Sequence, residues 1–303
     1  MSDKKPLFVF FGTPHISVRV LEQLELKGML PALVVTAPGK PQGRGLDVAK
    51  SPVHKWAESR GIDVLTPTTL KDESFVAELA NTDWDVFVVA MYAKLIPKNI
   101  LDLPRRGCLN VHPSLLPKFR GPSPVLSAIL ADERVTGVSV MLLEEKMDAG
   151  PVVAQGRIEL DAEDWPPQGS MFEELLAQEG GTLLAETMVP WIAGEIEPAP
   201  QNESLATYTK KFTDTDALLR QGFAGHAPVA TTGVEGRENF LKIRAFDKSP
   251  RAYFMTERRG TPIRVIVTDA DFVDGVLQIT RVIPEGKKEM DYADFMRGLS
   301  PQK

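Results

Sequence analysis

The sequence predicts an α/β chain: a Rossmann-like, mainly parallel sheet with helices on both faces, followed by a smaller C-terminal β-barrel of OB-like form. Three observations carry this. Up to about residue 140, short apolar runs alternate with helix-like segments, the pattern that puts strands side by side and helices across them. Beyond residue 205 the runs become rich in Val, Ile and Thr and are bounded by Gly, Asp and Pro, as in a small β domain. Between them, residues 195–204 carry Pro198, Pro200 and Asn202, the composition of a linker. The expected domains are therefore 1–194, a linker at 195–208, and 209–303.

Taken in order, strands are expected at Leu7–Phe11, Ala32–Thr36, Asp63–Thr66, Val86–Ala90, Cys108–His112 and Gly137–Leu143. Helices fill the gaps. His15–Lys27 follows the turn Gly12-Thr13-Pro14 and sets Val18, Leu21 and Leu24 on one face. Ser51–Ser59 opens with Ser-Pro, a capping hydroxyl followed by proline at the first helical position. Pro122–Ala131 continues the alternation. A long amphipathic stretch from Ser170 to Ala193 spaces Phe172, Leu175, Leu176, Leu183, Leu184, Met188, Trp191 and Ile192 helically, with a bend expected at Gly180-Gly181. Ile263–Val267 and Val276–Val282 are strand-like runs of the second domain.

Composition bounds the function. The 303 residues are 43% hydrophobic and 25% charged, as in an ordinary globular protein, and are long enough for two domains. A single cysteine, Cys108, rules out an internal disulfide and a cysteine-cluster metal site, which fits a reducing, cytoplasmic setting. No apolar stretch approaches a membrane span. The net charge of −6 argues mildly against a surface built throughout for nucleic acid. The charge is uneven, however: 19 Lys and Arg face 28 Asp and Glu before residue 205, and 16 face 13 after it, or −9 and +3. Only the C-terminal part is basic.

The first crossover turn, Phe11-Gly12-Thr13-Pro14, holds one glycine and lacks the G-x-G-x-x-G fingerprint, so a dinucleotide cofactor has little support. No G-x-x-x-x-G-K-[ST] loop occurs. The site is then expected at the carboxyl ends of the strands, where open parallel sheets bind ligands. One strand ends there in Asn110-Val111-His112-Pro113-Ser114. Residues two apart share a face, so Asn110 and His112 point the same way. An amide donor and an imidazole at one strand end suit acyl-type transfer: the amide can steady an oxyanion while the ring handles the proton of an attacking amine. A third group must orient and charge the ring. Asp148, in Lys146-Met147-Asp148-Ala149-Gly150-Pro151 just past the next strand, is the best candidate. Taken singly, a histidine near a strand end or an aspartate before Ala-Gly-Pro serves structure more often than chemistry. Their joint placement favours function, and their spacing alone names no reaction.

At these residues the chain resembles the 10-formyltetrahydrofolate-dependent formyltransferase family. Asn110-Val111-His112-Pro113-Ser114-Leu115-Leu116-Pro117-Lys118-Phe119-Arg120-Gly121 reproduces the family's Asn-x-His-x-Ser-x-Leu-Pro signature with its following basic, aromatic and glycine positions. Thr136–Val140 and Met147–Pro151 supply the second half. The resemblance implies that Asn110, His112 and Asp148 are the catalytic trio and that residues 1–194 are the catalytic domain. It makes Ser114, Leu115, Leu116 and Pro117 part of the folate site. Val89–Ile96, with Val89, Ala90, Tyr92, Leu95 and Ile96, resembles the segment that holds the pterin ring. The implied co-substrate is 10-formyltetrahydrofolate, with no metal.

Two further features resemble the family members that formylate methionyl initiator tRNA for translation initiation. Thr36–Gly45, leading into Ser51-Pro52-Val53, is similar to an insertion loop that enters the acceptor end of tRNA, with Lys40, Arg44 and Lys50 as its cations. Lys242–Asp247 and Pro284–Met290 resemble an appended tRNA-binding barrel. Lys210, Lys211, Lys287 and Lys288, with Arg244, Lys248, Arg258 and Arg259, form the expected pool of phosphate contacts. The resemblance is weakest over 212–240, and Ser249-Pro250-Arg251-Ala252-Tyr253 departs from the family's Trp-Pro-Gly-Ala-Tyr. A cytoplasmic monomer is expected. The trio is equally compatible with a sugar nucleotide, a purine precursor or water as acceptor, so only the loop and the C-terminal domain discriminate. A silent RNA-binding scaffold and a nucleotide-dependent oxidoreductase are the rivals from other classes. The intact trio opposes the first and the missing glycine fingerprint the second.

Overall fold

The computed structural model describes residues 5–42, 47–222, 229, 231–258 and 260–299. The chain divides into two compact units. The first comprises 1–121, 135–159 and 173–208, and the second 122–134, 160–172 and 209–303.

The first unit is built on a seven-stranded sheet. Along the chain its strands are β1 (Phe8–Phe11), β2 (Leu33–Val35), β5 (Asp63–Leu65), β6 (Val86–Val89), β7 (Cys108–His112), β8 (Val135–Leu142) and β9 (Val152–Glu159), in the spatial order β5-β2-β1-β6-β7-β8-β9. The pairings from β5 through β7 are parallel, and β8 and β9 close the edge antiparallel. A short antiparallel hairpin, β3 (Lys40–Gln42) with β4 (Asp47–Ala49), stands where the sequence reads as a plain loop.

The central parallel strands β1, β2 and β6 are buried on both faces, which is why they read as unbroken apolar runs rather than alternating ones. Phe8, Phe10, Val34, Val86, Val88, Leu109 and Val111 point to one face. There they pack on α1 (His15–Leu26), α2 (Pro52–Glu58) and α6 (Gly169–Ala193) through Leu21, Leu24, Trp56, Leu184, Met188 and Trp191. Val9, Phe11, Val35, Phe87, Val89 and Cys108 point to the other, against α3 (Glu73–Ala80) and α4 (Lys98–Leu101) through Phe75, Leu79 and Ile100. By the two-residue alternation Asn110 and His112 lie on this second face. Burial pushes the Cys108 thiol up, so it stays protonated and inert.

The helix α6 is continuous through Gly180-Gly181, where the sequence allows a bend. Packing explains the pair. A Cβ on Gly180 would stand 2.5 Å from Val111 Cγ1, and one on Gly181 would stand 2.8 Å from Gln23 Cβ. The glycines let α6 lie close on β7 and α1; overpacking such a contact costs about 1–3 kcal/mol. The strand that carries Asn110 and His112 is thereby held from behind.

The second unit carries a four-stranded antiparallel sheet of β10 (Tyr253–Arg258), β11 (Thr261–Val273), β12 (Val276–Pro284) and β13 (Met290–Asp291). Its helices are α5 (Pro124–Leu130), α7 (Gly233–Ala245) and α8 (Tyr292–Leu299). The helix α7 packs on β11 and β12 and on α5, with Phe240 stacked on Phe272 at 5.4 Å between ring centroids. Register shifts at Asp269 bend β11, as bulges do. Among the described residues no helix is long and apolar enough to cross a membrane.

Candidate active site

The strand β7 ends at His112 and is gripped on both sides, Asn110 opposite Val89 of β6 and Met141 of β8, and His112 opposite Ser139. Asn110 and His112 are both buried, yet the Asn110 amide takes no hydrogen-bond partner among the described residues. That is a donor with unused capacity on the face where His112 sits. The His112 ring lies with Nε2 3.0 Å from the carbonyl oxygen of Phe119 and Nδ1 3.8 Å from Asp148 Oδ2. A carbonyl can only accept, so the neutral ring carries its proton on Nε2, and Nδ1 is the basic nitrogen facing the carboxylate. Burial pushes the His112 pKa below its ordinary value; Asp148 and the Phe119 carbonyl pull the other way without overcoming it. The ring is thus a neutral base near pH 7, with a carboxylate placed to steady the cation it becomes.

Asp148 is held by its surroundings. Its Oδ2 accepts from the Gly121 N–H at 2.7 Å, and its backbone sits in the left-handed region with φ 48°. Left-handed backbone also occurs at Met91 (φ 48°), just past β6, and at Phe119 (φ 59°). Each such non-glycine residue costs on the order of 1–3 kcal/mol, and these three lie in the segments that follow β6, β7 and β8. The turn after Asp148 needs Gly150, because a Cβ there would fall 2.0 Å from the Leu142 carbonyl oxygen.

The loop after His112 is laced to β8 and β9. Ser114 Oγ donates to the Lys118 carbonyl (2.7 Å), and Ser139 Oγ donates to the Ser114 carbonyl (2.6 Å) while accepting from the Leu116 N–H (3.1 Å). Gln155 Nε2 donates to the Leu116 carbonyl and to Ser139 Oγ, each at 2.9 Å. Leu116 is buried, with a cis bond to Pro117, while Leu115 and Pro117 are half-buried. In the neighbouring segment Val89, Ala90 and Ile96 are core side chains, and the main chain of Ala90 is already engaged by the Phe11 carbonyl and by Ser17 Oγ. Leu95 is exposed. Tyr92 stands edge-on to Phe11 with its hydroxyl buried and unpartnered among the described residues. Burial pushes that phenol up to about 12, so it remains a neutral donor.

The basic residues divide. Arg44, Arg259 and the side chain of Lys40 lie outside the described residues. Lys50 pairs with Glu58 at 2.6 Å, and Lys210 pairs with Asp216. Arg244 is half-buried, its Nε donating to the Pro166 carbonyl at 2.9 Å, which gives it a structural task in the second unit. Lys211, Lys248, Arg258, Lys287 and Lys288 are exposed. Among the described residues no group of three or more His, Cys, Asp and Glu is placed to hold a metal ion.

The structure brings Asn110, His112 and Asp148 to one strand end, with Ser114–Pro117 beside them. Sequence reasoning missed Ser139 and Gln155, which hold that loop, and the main-chain groups of Phe119 and Gly121, which hold the ring and the carboxylate. It also passed over Gln201, whose amide donates to the Asp148 and Gly150 carbonyls at 2.9 and 2.7 Å. Nothing in a Pro-Gln-Asn linker signals such a contact.

Residues 4–186 match the formyl transferase family model. The chain is 36% identical to the methionyl-tRNA formyltransferase of Roseiflexus castenholzii, over 96% of this chain and 95% of that one. It is 38% identical to that of Thermus thermophilus, over 95% of each. Among solved structures, the methionyl-tRNA formyltransferase from Clostridium thermocellum shares the fold, with a TM-score of 0.57 at 14% identity over 94% of this chain and 99% of that one. With a trio that suits acyl transfer at the end of β7, and with such identity over nearly its full length, the chain belongs to the formyl transferase family, among the methionyl-tRNA formyltransferases.

Proposed function

We propose that the protein transfers the formyl group of 10-formyltetrahydrofolate to the α-amino group of methionine esterified to initiator tRNA. The observation that carries this reading is the trio at the end of β7, an Asn110 amide without a hydrogen-bond partner among the described residues, beside a neutral His112 that faces the Asp148 carboxylate. Residues 1–194 would do the chemistry, 195–208 connect, and 209–303 bind tRNA. The reading takes the protein to be a cytoplasmic monomer. Residues 114–117 would cradle the folate together with Val89–Ile96.

The amine attacks the formyl carbon, and the carbonyl oxygen gains the electron pair of the broken π bond. Asn110 donates to that oxyanion. The proton lost by the amine passes to Nδ1 of His112, directly or through one water, and Asp148 steadies the imidazolium. When the tetrahedral centre collapses, the C–N10 bond breaks and N10 takes the proton back from His112. Tetrahydrofolate leaves, and the ring returns to neutral.

The test is to mix the purified protein with 10-formyltetrahydrofolate and methionyl initiator tRNA and to assay N-formylmethionine after hydrolysis. Sugar-nucleotide and purine-precursor amines run in parallel. Formylation of the tRNA alone supports the reading, and transfer only to a small amine rejects it. If Lys211, Lys287 and Lys288 meet phosphates, KM for the tRNA rises steeply with salt, with a log–log slope of roughly 0.7–0.9 per phosphate neutralised. A salt-independent KM contradicts the tRNA contacts.

A further inference from the structure

Arg120 lies within the signature loop yet touches none of the three residues assigned to the chemistry. It is the largest fully buried side chain among the described residues. Burying a guanidinium is costly unless every donor is met, and here every one is. Nε and one terminal nitrogen donate to Gln201 Oε1 at 3.0 and 2.9 Å. The terminal nitrogens also reach Glu203 Oε2 and Oε1 at 3.1 and 2.8 Å, and one donates to the Tyr208 hydroxyl at 3.1 Å. All five N–H groups of the fork are used.

The main chain carries this fixity to the site. The Arg120 N–H donates to the Thr207 carbonyl at 2.9 Å, and the Phe119 N–H donates to Thr207 Oγ1 at 2.8 Å. Three consecutive residues then divide the work: the Phe119 carbonyl holds His112 Nε2, Arg120 anchors, and the Gly121 N–H holds the Asp148 carboxylate. From the other side Gln201, fixed by Arg120 through its oxygen, uses its amide nitrogen to hold the Asp148 and Gly150 carbonyls. Asp148 needs such support at φ 48°.

We propose that Arg120 and Gln201 form a positioning clamp, in which the segment 201–208 sets the separation and orientation of the His112–Asp148 pair. The proposal deepens the functional reading and rests on it. The clamp makes no contact with substrate; it acts on rate by keeping Nδ1 and the carboxylate in register, where misplacement by about 1 Å can cost on the order of 100-fold. Asp148 is the charged group that acts on the His112 ring. Loosening the clamp withdraws that carboxylate and lets burial lower the His112 pKa further.

Two variants separate the clamp from simple stability. Gln201→Met removes the donor to the Asp148 and Gly150 carbonyls without adding a charge near His112, and Arg120→Lys loses the fork. The test combines steady-state kinetics with methionyl initiator tRNA and NMR titration of the His112 ring. In Gln201→Met, kcat should fall on the order of 10- to 100-fold with both KM values within a few-fold. The ring should titrate at lower pH than in the wild type, because the carboxylate that raises it has moved away. Arg120→Lys should show the same split with lower stability. The titration reads the clamp whether or not the enzyme turns over, so an inactive wild type sinks the functional reading alone. An unchanged His112 titration in a folded Gln201→Met protein, or an unchanged kcat where the wild type is active, overturns the clamp.

Discussion

Replacing Asn110 with alanine should lower kcat on the order of 100- to 1,000-fold, the usual cost of removing one oxyanion donor, while KM for the formyl folate stays within a few-fold. The split follows from when the donor acts. A formyl oxygen already accepts weakly in the ground state, but its demand for a donor grows as the centre becomes tetrahedral, so the loss falls on the transition state. The variant should fold. The Asn110 amide has no partner among the described residues, so its removal orphans no internal group, and the neighbouring core residues Leu109 and Val111 face the other side of the sheet. Near-wild-type kcat would remove Asn110 from the chemistry.

The second large effect is expected from Asp148→Asn. The new side chain can still accept the Gly121 N–H through its oxygen, so the turn survives, but the negative charge beside His112 Nδ1 is gone. The imidazolium formed during transfer then has no counter-charge, and kcat should drop on the order of 100- to 10,000-fold, the range that positioned acid–base catalysis supplies. The sign of the pH effect is fixed. His112 must be neutral to act, so activity rises with pH through its pKa. Burial already holds that pKa low while Asp148 raises it, so removing the carboxylate moves the acid limb of the kcat profile to lower pH as the plateau falls. Asn110→Ala should leave that limb in place. The contrast between the two profiles, measured on the same substrates, separates donor from charge. An acid limb that moves to higher pH in Asp148→Asn would contradict the assignment.

What was legible in the sequence is what local pattern encodes. The buried strands β1 and β6 are uninterrupted apolar runs, and the bounds of β1, β6 and β7 fall within a residue or two of the expected ones. The alternation of β7 put Asn110 and His112 on one face, and the signature named Asp148. The strand β9 escaped because it carries Gln155, Arg157 and Glu159 at the sheet edge, where its run is not apolar. The hairpin β3–β4 escaped because Gly, Pro and Lys read as a loop. The Gly180-Gly181 pair reads in the sequence as a place to bend, and the nearness of Val111 and Gln23 that also calls for glycine there is not visible in it. Least legible was what holds the site. Arg120 meets partners some 80 residues away in sequence, and no periodicity records such a contact.

The central claim is that the formyl carbonyl sits at the end of β7 within reach of Asn110 and His112. A structure of the protein with 10-formyltetrahydrofolate, or a formyl folate that cannot transfer, tests it without any assay. The formyl oxygen should lie about 2.7–3.1 Å from Asn110 Nδ2, with the formyl carbon open on the side of His112. A folate seated elsewhere, or a formyl group beyond hydrogen-bond reach of both side chains, would contradict the account.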